Sequence, residues 1–293
     1  MLSLSLGEDI DVGRRREFAD LDLFAHLLKV FADSPWLHYG LWLEGERPTF
    51  PTLRRAQERY VDKLLALLPP APASIFDIGG GTGALSARLA DLGYDVEMLT
   101  PSAEQVTIAR AALGDRIRLH QARFQDHEPV RRYDVCLFSE SFQYIPLEIV
   151  FARVDALMAP GGSVVIADCF RSPAYTGGRM VGGGHRYLQF VEAAQRSGYR
   201  IVSDEDVTVL AAPSIEIDRM FYRDALSPVL TVLGNQLERR RPTLNRLVRG
   251  AYRLFVKERD RRHLATRLSA QNRTPELFAA NNTYRFLRLT KES

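Results

Sequence analysis

One stretch limits what this chain can become more than any other: Ser74-Ile75-Phe76-Asp77-Ile78-Gly79-Gly80-Gly81-Thr82-Gly83-Ala84-Leu85. Ile75, Phe76 and Ile78 read as a short buried strand. The glycines then break the pattern, and Leu85, Leu89 and Leu92 resume it at helical spacing. Strand, glycine turn and helix together open a nucleotide-binding βα unit. Such a turn needs glycine because a side chain would hold the backbone away from a ligand. The new helix also presents unpaired N–H groups at its start.

Two fingerprints overlap here. Gly79-x-Gly81-x-x-Ala84 fits the dinucleotide pattern. Asp77-x-Gly79-x-Gly81-x-Gly83 adds an acid at the end of the strand. An acid suits an ammonium group and repels a pyrophosphate. In this second form the segment resembles motif I of class I S-adenosylmethionine (SAM)-dependent methyltransferases. The resemblance implies that Asp77, Gly79, Gly81 and Gly83 hold the amino-acid end of SAM. It also implies a Rossmann-like α/β fold, a seven-stranded sheet whose last strand is antiparallel.

The bulk numbers exclude several classes. With 293 residues the chain has room for one large domain with helical caps, and 46% hydrophobic content is ordinary for a globular protein. No apolar run is long enough to span a bilayer. Met1–Leu6 is short, lacks a basic flank and meets Glu8, Asp9 and Asp11 at once, so we expect no signal peptide and a cytoplasmic protein. Cys136 and Cys169 fall in expected buried strands and read as small apolar filler in a reducing compartment. A net charge of +3 is too small to argue for nucleic acid.

Residues 1–71 are expected to form an N-terminal helical cap. Phe18, Leu21, Leu23, Phe24, Leu27, Leu28 and Phe31 make a dense apolar segment, and Leu53–Leu68 an amphipathic helix stopped by Pro69-Pro70. Between them Ser34-Pro35-Trp36-Leu37-His38-Tyr39-Gly40-Leu41-Trp42 is an aromatic cluster. It is similar to the lid segment of many small-molecule methyltransferases, which implies that the Tyr39 hydroxyl reaches the cofactor; a plain hydrophobic cap is the alternative. No second ligand stands near His38, so no metal site is expected.

The core is expected over 72–210. Its second strand, Tyr94–Leu99, ends at Thr100, where the family usually places a ribose-binding acid. Thr100-x-Ser102-x-x-Gln105 instead resembles the branch of cyclopropane fatty acid synthases and sterol or tocopherol C-methyltransferases, which implies that Thr100 and Gln105 serve the ribose end. Glu97 is the other acid available. After the third strand, Ile117–His120, the family places an adenine-contacting acid; the best-aligned residue here is Arg123, not an acid, which leaves Phe124 to pack on the adenine and Gln125 or Asp126 to bond its amino group. The fourth strand, Tyr133–Phe138, runs into Ser139-Glu140-Ser141-Phe142-Gln143-Tyr144. Strand carboxyl ends face the ligand in such sheets, so Ser139 is expected against the cofactor and Glu140 and Tyr144 against the methyl acceptor. Glu140 is a candidate general base, or a helix-start acid. Gln143-Tyr144 replaces the glutamate-histidine of the cyclopropane synthases, so cyclopropanation is not expected.

Ala159-Pro160-Gly161-Gly162 leads into a fifth strand, Ser163–Asp168, and is a second landmark of the family. A glycine-rich loop follows to Gly184. His185 is expected to open a helix to Ser197, either as a further catalytic candidate or as an ordinary helix-start histidine. Tyr199–Val202 begins the sixth strand. Residues 211–280 read as a helical cap inserted before the last strand, within 281–293. In that insertion Arg246, Arg249, Arg253 and Lys257 share one helix face and Leu247, Val248, Ala251, Leu254 and Phe255 another. We favour a solvated amphipathic helix over a membrane-surface or anion-binding face. The expected activity is SAM-dependent methyl transfer to a small natural-product or lipid-like acceptor. Three other readings stay open: SAM chemistry without methyl transfer, a NAD-dependent reductase, and a non-catalytic SAM-binding protein.

Overall fold

The computed structural model describes residues 26, 28–175, 183–269 and 273–292. Phe18, Leu21, Leu23, Phe24 and Leu27, and Thr176 to Gly182 of the glycine-rich loop, lie outside the described residues. No helix among the described residues is long and apolar enough to cross a membrane.

Seven strands form one sheet in the order β3-β2-β1-β4-β5-β7-β6. They are β1 Ser74–Ile78, β2 Asp95–Thr100, β3 Arg118–Gln121, β4 Tyr133–Ser139, β5 Met158–Arg171, β6 Tyr199–Asp206 and β7 Asn282–Lys291. β1 pairs in parallel with β2 and β4, whereas β7 runs antiparallel between β5 and β6. The sheet is therefore the Rossmann-like arrangement expected, with its last strand reversed. Order reverses between β1 and β4, the switch point at which such sheets bind ligands. Central strands are apolar on both faces, as parallel strands covered by helices must be. One face buries Ile75, Val135, Leu137 and Val165; the other buries Phe76, Cys136, Phe138, Val164 and Ile166. Cys136 and Cys169 are both buried and unpaired.

Helices α1 (Phe50–Leu65), α2 (Ala84–Asp91), α3 (Ala103–Leu113), α4 (Leu147–Leu157) and α5 (Tyr187–Arg196) flank the sheet. After β6 come α6 (Thr208–Ala211), α7 (Ser214–Arg219), a π-helical segment (Met220–Leu226), α8 (Ser227–Arg240), α9 (Pro242–Phe255), α10 (Glu258–Ser269) and α11 (Pro275–Asn281). The residues at both joints of the π segment are in the right-handed helical region, so Ser214–Arg240 is one continuous helical run. Ser214 fastens its start to the aromatic segment: its Oγ accepts from Gly40 N (3.0 Å) and Trp42 Nε1 (2.9 Å).

Three local expectations are corrected. Ala159–Gly162 is no separate turn but part of β5, because Met158 already pairs with Tyr133 and the register slips before Val135 pairs with Ser163. His185 does not open α5. Its carbonyl accepts from Arg171 N (2.9 Å) and Arg186 bridges Arg171, which keeps 185–186 extended. Lys257 lies beyond the end of α9 at Phe255, and so off the face of Arg246, Arg249 and Arg253.

Candidate active site

A cavity of about 380 Å³ opens at the carboxyl ends of β1, β2 and β4, with Pro35–His38 of the aromatic segment forming part of its wall. Ten of the expected site residues line it: Asp77, Gly79, Gly81, Thr100, Gln105, Phe124, Gln125, Ser139, Glu140 and Tyr144. Tyr39, Gly83 and His185 do not.

Asp77, the penultimate residue of β1, is fully buried. Its Oδ2 accepts from the Ser86 hydroxyl (2.6 Å), while Oδ1 is buried without a hydrogen-bond partner among the described residues. Burial raises its pKa to about 6, opposed by the Ser86 bond. A buried carboxylate oxygen without a donor is costly, and an ammonium would satisfy it. Gly79 (φ +84°) lies so close to Ser141 that a Cβ there would collide with its Cβ, whereas at Gly81 (φ +57°) only Leu37 Cδ1 stands within 4 Å, at 3.4 Å. Gly81 thus keeps the turn open toward the cavity. Gly83 serves the fold instead: it precedes α2 at φ +80°, and a Cβ would lie 2.7 Å from Leu113 Cδ1.

At the end of β2 the Thr100 hydroxyl donates to Gln105 Oε1 (2.8 Å). Ser102 caps α3 by accepting from Gln105 N (3.2 Å), which fixes Gln105 on the first turn and aims it back at Thr100. The spacing Thr-x-Ser-x-x-Gln is therefore one structural unit. Glu97 is turned away from the cavity, accepting from Arg118 Nη1 (2.9 Å) and paired with His120 Nε2 (2.9 Å). Phe124 is buried at the cavity wall beside Gln125, while Asp126 is engaged by Arg123 Nε (2.6 Å). An unsatisfied acid, an open glycine turn, a hydroxyl–amide pair and an aromatic wall, in that order, fit the parts of SAM.

The opposite wall carries titratable groups. Glu140 holds φ +54°, a conformation unusual for a non-glycine residue. Its Oε1 accepts from Tyr39 N (2.7 Å) and Tyr284 Oη (2.5 Å), and burial raises its pKa to about 7 against those two bonds. Behind it Asp168 is fully buried, accepting from Gln143 N (3.1 Å) and Cys169 N (2.7 Å); burial first, then the charge of Glu140, raises its pKa to about 8. Tyr60 Oη is 2.9 Å from Ser139 Oγ. Burial holds both Tyr60 and Tyr284 well above the usual phenol range. Tyr144 is 44% exposed, at the cavity's edge.

Besides Gly83, two expected residues are corrected. Tyr39 contributes its backbone N–H, not its hydroxyl; its ring stacks on Tyr284, centroids 5.8 Å apart. His185 places Nε2 2.8 Å from Ile145 O and its ring edge-on to Phe142, which ties it to the fold. His38, set aside on sequence as a metal ligand, lines the cavity. Its Nδ1 lies 2.8 Å from the Tyr39 carbonyl, an acceptor only, so Nδ1 carries the proton. Burial lowers its pKa to about 4, leaving Nε2 unprotonated and without a partner among the described residues. Asp168, Tyr60, Tyr284 and His38 were missed because they converge from β5, α1, β7 and the lid, and no local motif joins them.

The model of a family described as "Methyltransferase domain" matches residues 52–203. A ubiquinone biosynthesis O-methyltransferase of Xanthomonas axonopodis pv. citri is 26% identical over 197 residues, covering 62% of this chain and 77% of that protein. The tuberculostearic acid methyltransferase UfaA1 of Mycobacterium tuberculosis is 28% identical over 169 residues, 53% of this chain and only 39% of that longer protein. The solved structure of the [4+2]-cyclase SpnF superposes with a TM-score of 0.64 at 18% identity, over 93% of this chain and 94% of that one, which is a likeness of fold. With the family model matched over half of its length, and with a cavity that fits the cofactor, the chain belongs to the methyltransferase-domain family and is a class I SAM-dependent methyltransferase.

Proposed function

We propose that this protein methylates a small lipid-like or natural-product acceptor, and that Glu140 takes the proton the acceptor gives up. The observation that carries this reading is the placement of Glu140 in the wall of the same cavity as Asp77 and Gly81. It is held at positive φ by two hydrogen bonds to one carboxylate oxygen and is poised to titrate near neutrality. Strained backbone of this kind persists where the surroundings over-determine it, and it concentrates at functional sites.

Bound SAM supplies an electrophilic methyl on a sulfonium leaving group. The work of the chain is then alignment, exclusion of water and proton acceptance. Asp77 and the glycine turn hold the methionine end; Thr100 and Gln105 the ribose; Phe124 and Gln125 the base. Ser139 stands between that side and Glu140. Holding donor and acceptor in line contributes on the order of 7–11 kcal/mol in favourable cases. His38 offers a neutral acceptor nitrogen beside Glu140, suited to a hydroxyl or amine of the acceptor. A lipid-like acceptor is supported by the names of two relatives, one a ubiquinone biosynthesis O-methyltransferase and one a tuberculostearic acid methyltransferase, and by a cavity wall that includes Trp36, Leu37, Ile145 and Tyr144.

Product analysis tests the proposal. Incubation with SAM and prenylated phenols or unsaturated fatty acyl lipids should yield S-adenosylhomocysteine together with a methylated lipid. Release of methylthioadenosine from SAM alone would overturn it in favour of attack at another carbon. Turnover with water-soluble acceptors only would remove the lipid-like part of the reading.

A further inference from the structure

α8 and α9 leave the body of the molecule with an unusual surface. Neither helix buries an apolar side chain: α8 buries no residue and α9 only Asn245. On α9, Leu247 is 70% exposed and Leu254 and Phe255 are each 79% exposed, while Val229, Val232 and Leu233 stand exposed on α8. At 100° per residue, Leu244, Leu247, Val248, Ala251, Leu254 and Phe255 fall on one side of α9, and Arg246, Arg249 and Arg253 on the opposite side. From Ser227 to Phe255 there are six basic residues (Arg239, Arg240, Arg241, Arg246, Arg249, Arg253) and one acid, Glu238, a net of +5. The whole chain carries +3, so the remainder is at −2.

We propose that this helical hairpin seats the protein on an anionic lipid bilayer surface. Opposed apolar and cationic faces on a helix of low net hydrophobicity are the pattern of a segment that lies in the membrane interface, with its apolar side among the acyl chains and its arginines at the headgroups. The charge argues against the other occupants. Two copies of a +5 hairpin packed face to face would bring like charges together around the contact. A nucleic acid would meet the arginines but leave Leu247, Leu254 and Phe255 in water. An anionic bilayer satisfies both faces at once. The run Ser214–Arg240 connects this surface to the aromatic segment in the cavity wall through Ser214. The inference rests on exposure and charge, and stands apart from the choice of acceptor.

Co-sedimentation of the full chain with vesicles tests it. Phosphatidylcholine vesicles containing about one third phosphatidylglycerol should bind the protein roughly tenfold more tightly than phosphatidylcholine alone, and added salt should weaken the binding. The double variant Leu254→Asp/Phe255→Asp and the triple variant Arg246→Gln/Arg249→Gln/Arg253→Gln should each lose that preference. Because these side chains are exposed and away from the cavity, both variants should keep the wild-type circular dichroism and SAM affinity. Equal binding to both vesicle types, or no binding, would overturn the proposal. So would a wild-type dimer in sedimentation equilibrium that Leu254→Asp/Phe255→Asp converts to monomer without any vesicle binding, which would make the face an interface between copies.

Discussion

At the scale of single residues, the site is a set of carboxylates kept from water for different ends. Asp77 lacks a donor on Oδ1 among the described residues and so favours a bound cation. Glu140 has two donors on Oε1, which keeps its pKa near 7 although burial pushes it up. A general base must be ionised, so the rate of methyl transfer should rise with pH through about 7 and level off above it. His38, held near 4, is neutral throughout that range and cannot produce this limb. In Glu140→Gln, kcat should fall about 10²- to 10⁴-fold and the limb should vanish, with SAM affinity unchanged by calorimetry. An unaltered pH profile would remove Glu140 from the role of base.

At the scale of elements, the turn between β1 and α2 shows why three alternating glycines are not equivalent. Gly79 and Gly81 both hold positive φ, which costs an alanine about 1–2 kcal/mol. At Gly79 the methyl would also strike Ser141, whose hydroxyl donates to Ile78 O and braces the turn. Gly79→Ala should therefore lower unfolding free energy in urea by about 3 kcal/mol, and Gly81→Ala by only about 1–2 kcal/mol. Gly81→Ala should act chiefly on SAM binding, since its methyl would point into the cavity's mouth. Equal destabilisation by the two would show that the contact with Ser141 does not matter. The Thr100–Ser102–Gln105 unit makes a related point: a helix cap, recognisable in sequence, sets the side chain that faces the ligand.

Across the whole molecule, two contacts bring distant parts of the chain onto one site. Ser214 joins the helical insertion to Gly40 and Trp42; Ser214→Ala strands two buried donors and should cost roughly 2–3 kcal/mol in urea unfolding. Because the aromatic segment lines the cavity, the KM for SAM should rise with it; a KM at the wild-type value would separate the lid from cofactor binding. The buried acids also set how stability depends on pH. Asp77, Glu140 and Asp168 have folded pKa values raised to about 6, 7 and 8 from ordinary values of 3.8, 4.5 and 3.8. Below about pH 6.5 the lowered pKa values of His38, His127 and His185 oppose this, but between about pH 6.5 and pH 8 Glu140 and Asp168 leave the folded state with more bound protons than the unfolded chain, so stability falls as pH rises. The Tm of the cofactor-free protein should decline over that window, and Asp168→Asn should flatten the decline. A Tm rising through the same range would contradict the burial of these groups.

Much of this architecture can be read from local pattern. The acid and glycines of β1, the hydroxyl–amide spacing after β2 and the buried runs of β4 and β5 follow from side-chain periodicity and turn chemistry, which act between near neighbours, whereas the reversed last strand is what the family resemblance implies. The cofactor side of the cavity is assembled from such segments: Asp77, Gly79, Gly81, Thr100, Gln105, Phe124, Gln125 and Ser139 line it, while Gly83 and Tyr39 serve the scaffold. The acceptor side is not. Glu140 takes its hydrogen bonds from Tyr39 and Tyr284, 101 and 144 residues away, and its companions Asp168, Tyr60 and His38 meet only after the sheet is ordered and the lid is laid across it. The same holds for Tyr39 and His185, whose sequence settings suggest the site but whose packing assigns them to the scaffold. Sequence by itself, through local motifs and the family they resemble, was enough for the fold class and for most residues that line the cofactor half of the cavity, because those motifs depend on contacts short in sequence. Tertiary structure decided the acceptor half and its pKa values, because desolvation is a property of the assembled surroundings and not of any segment.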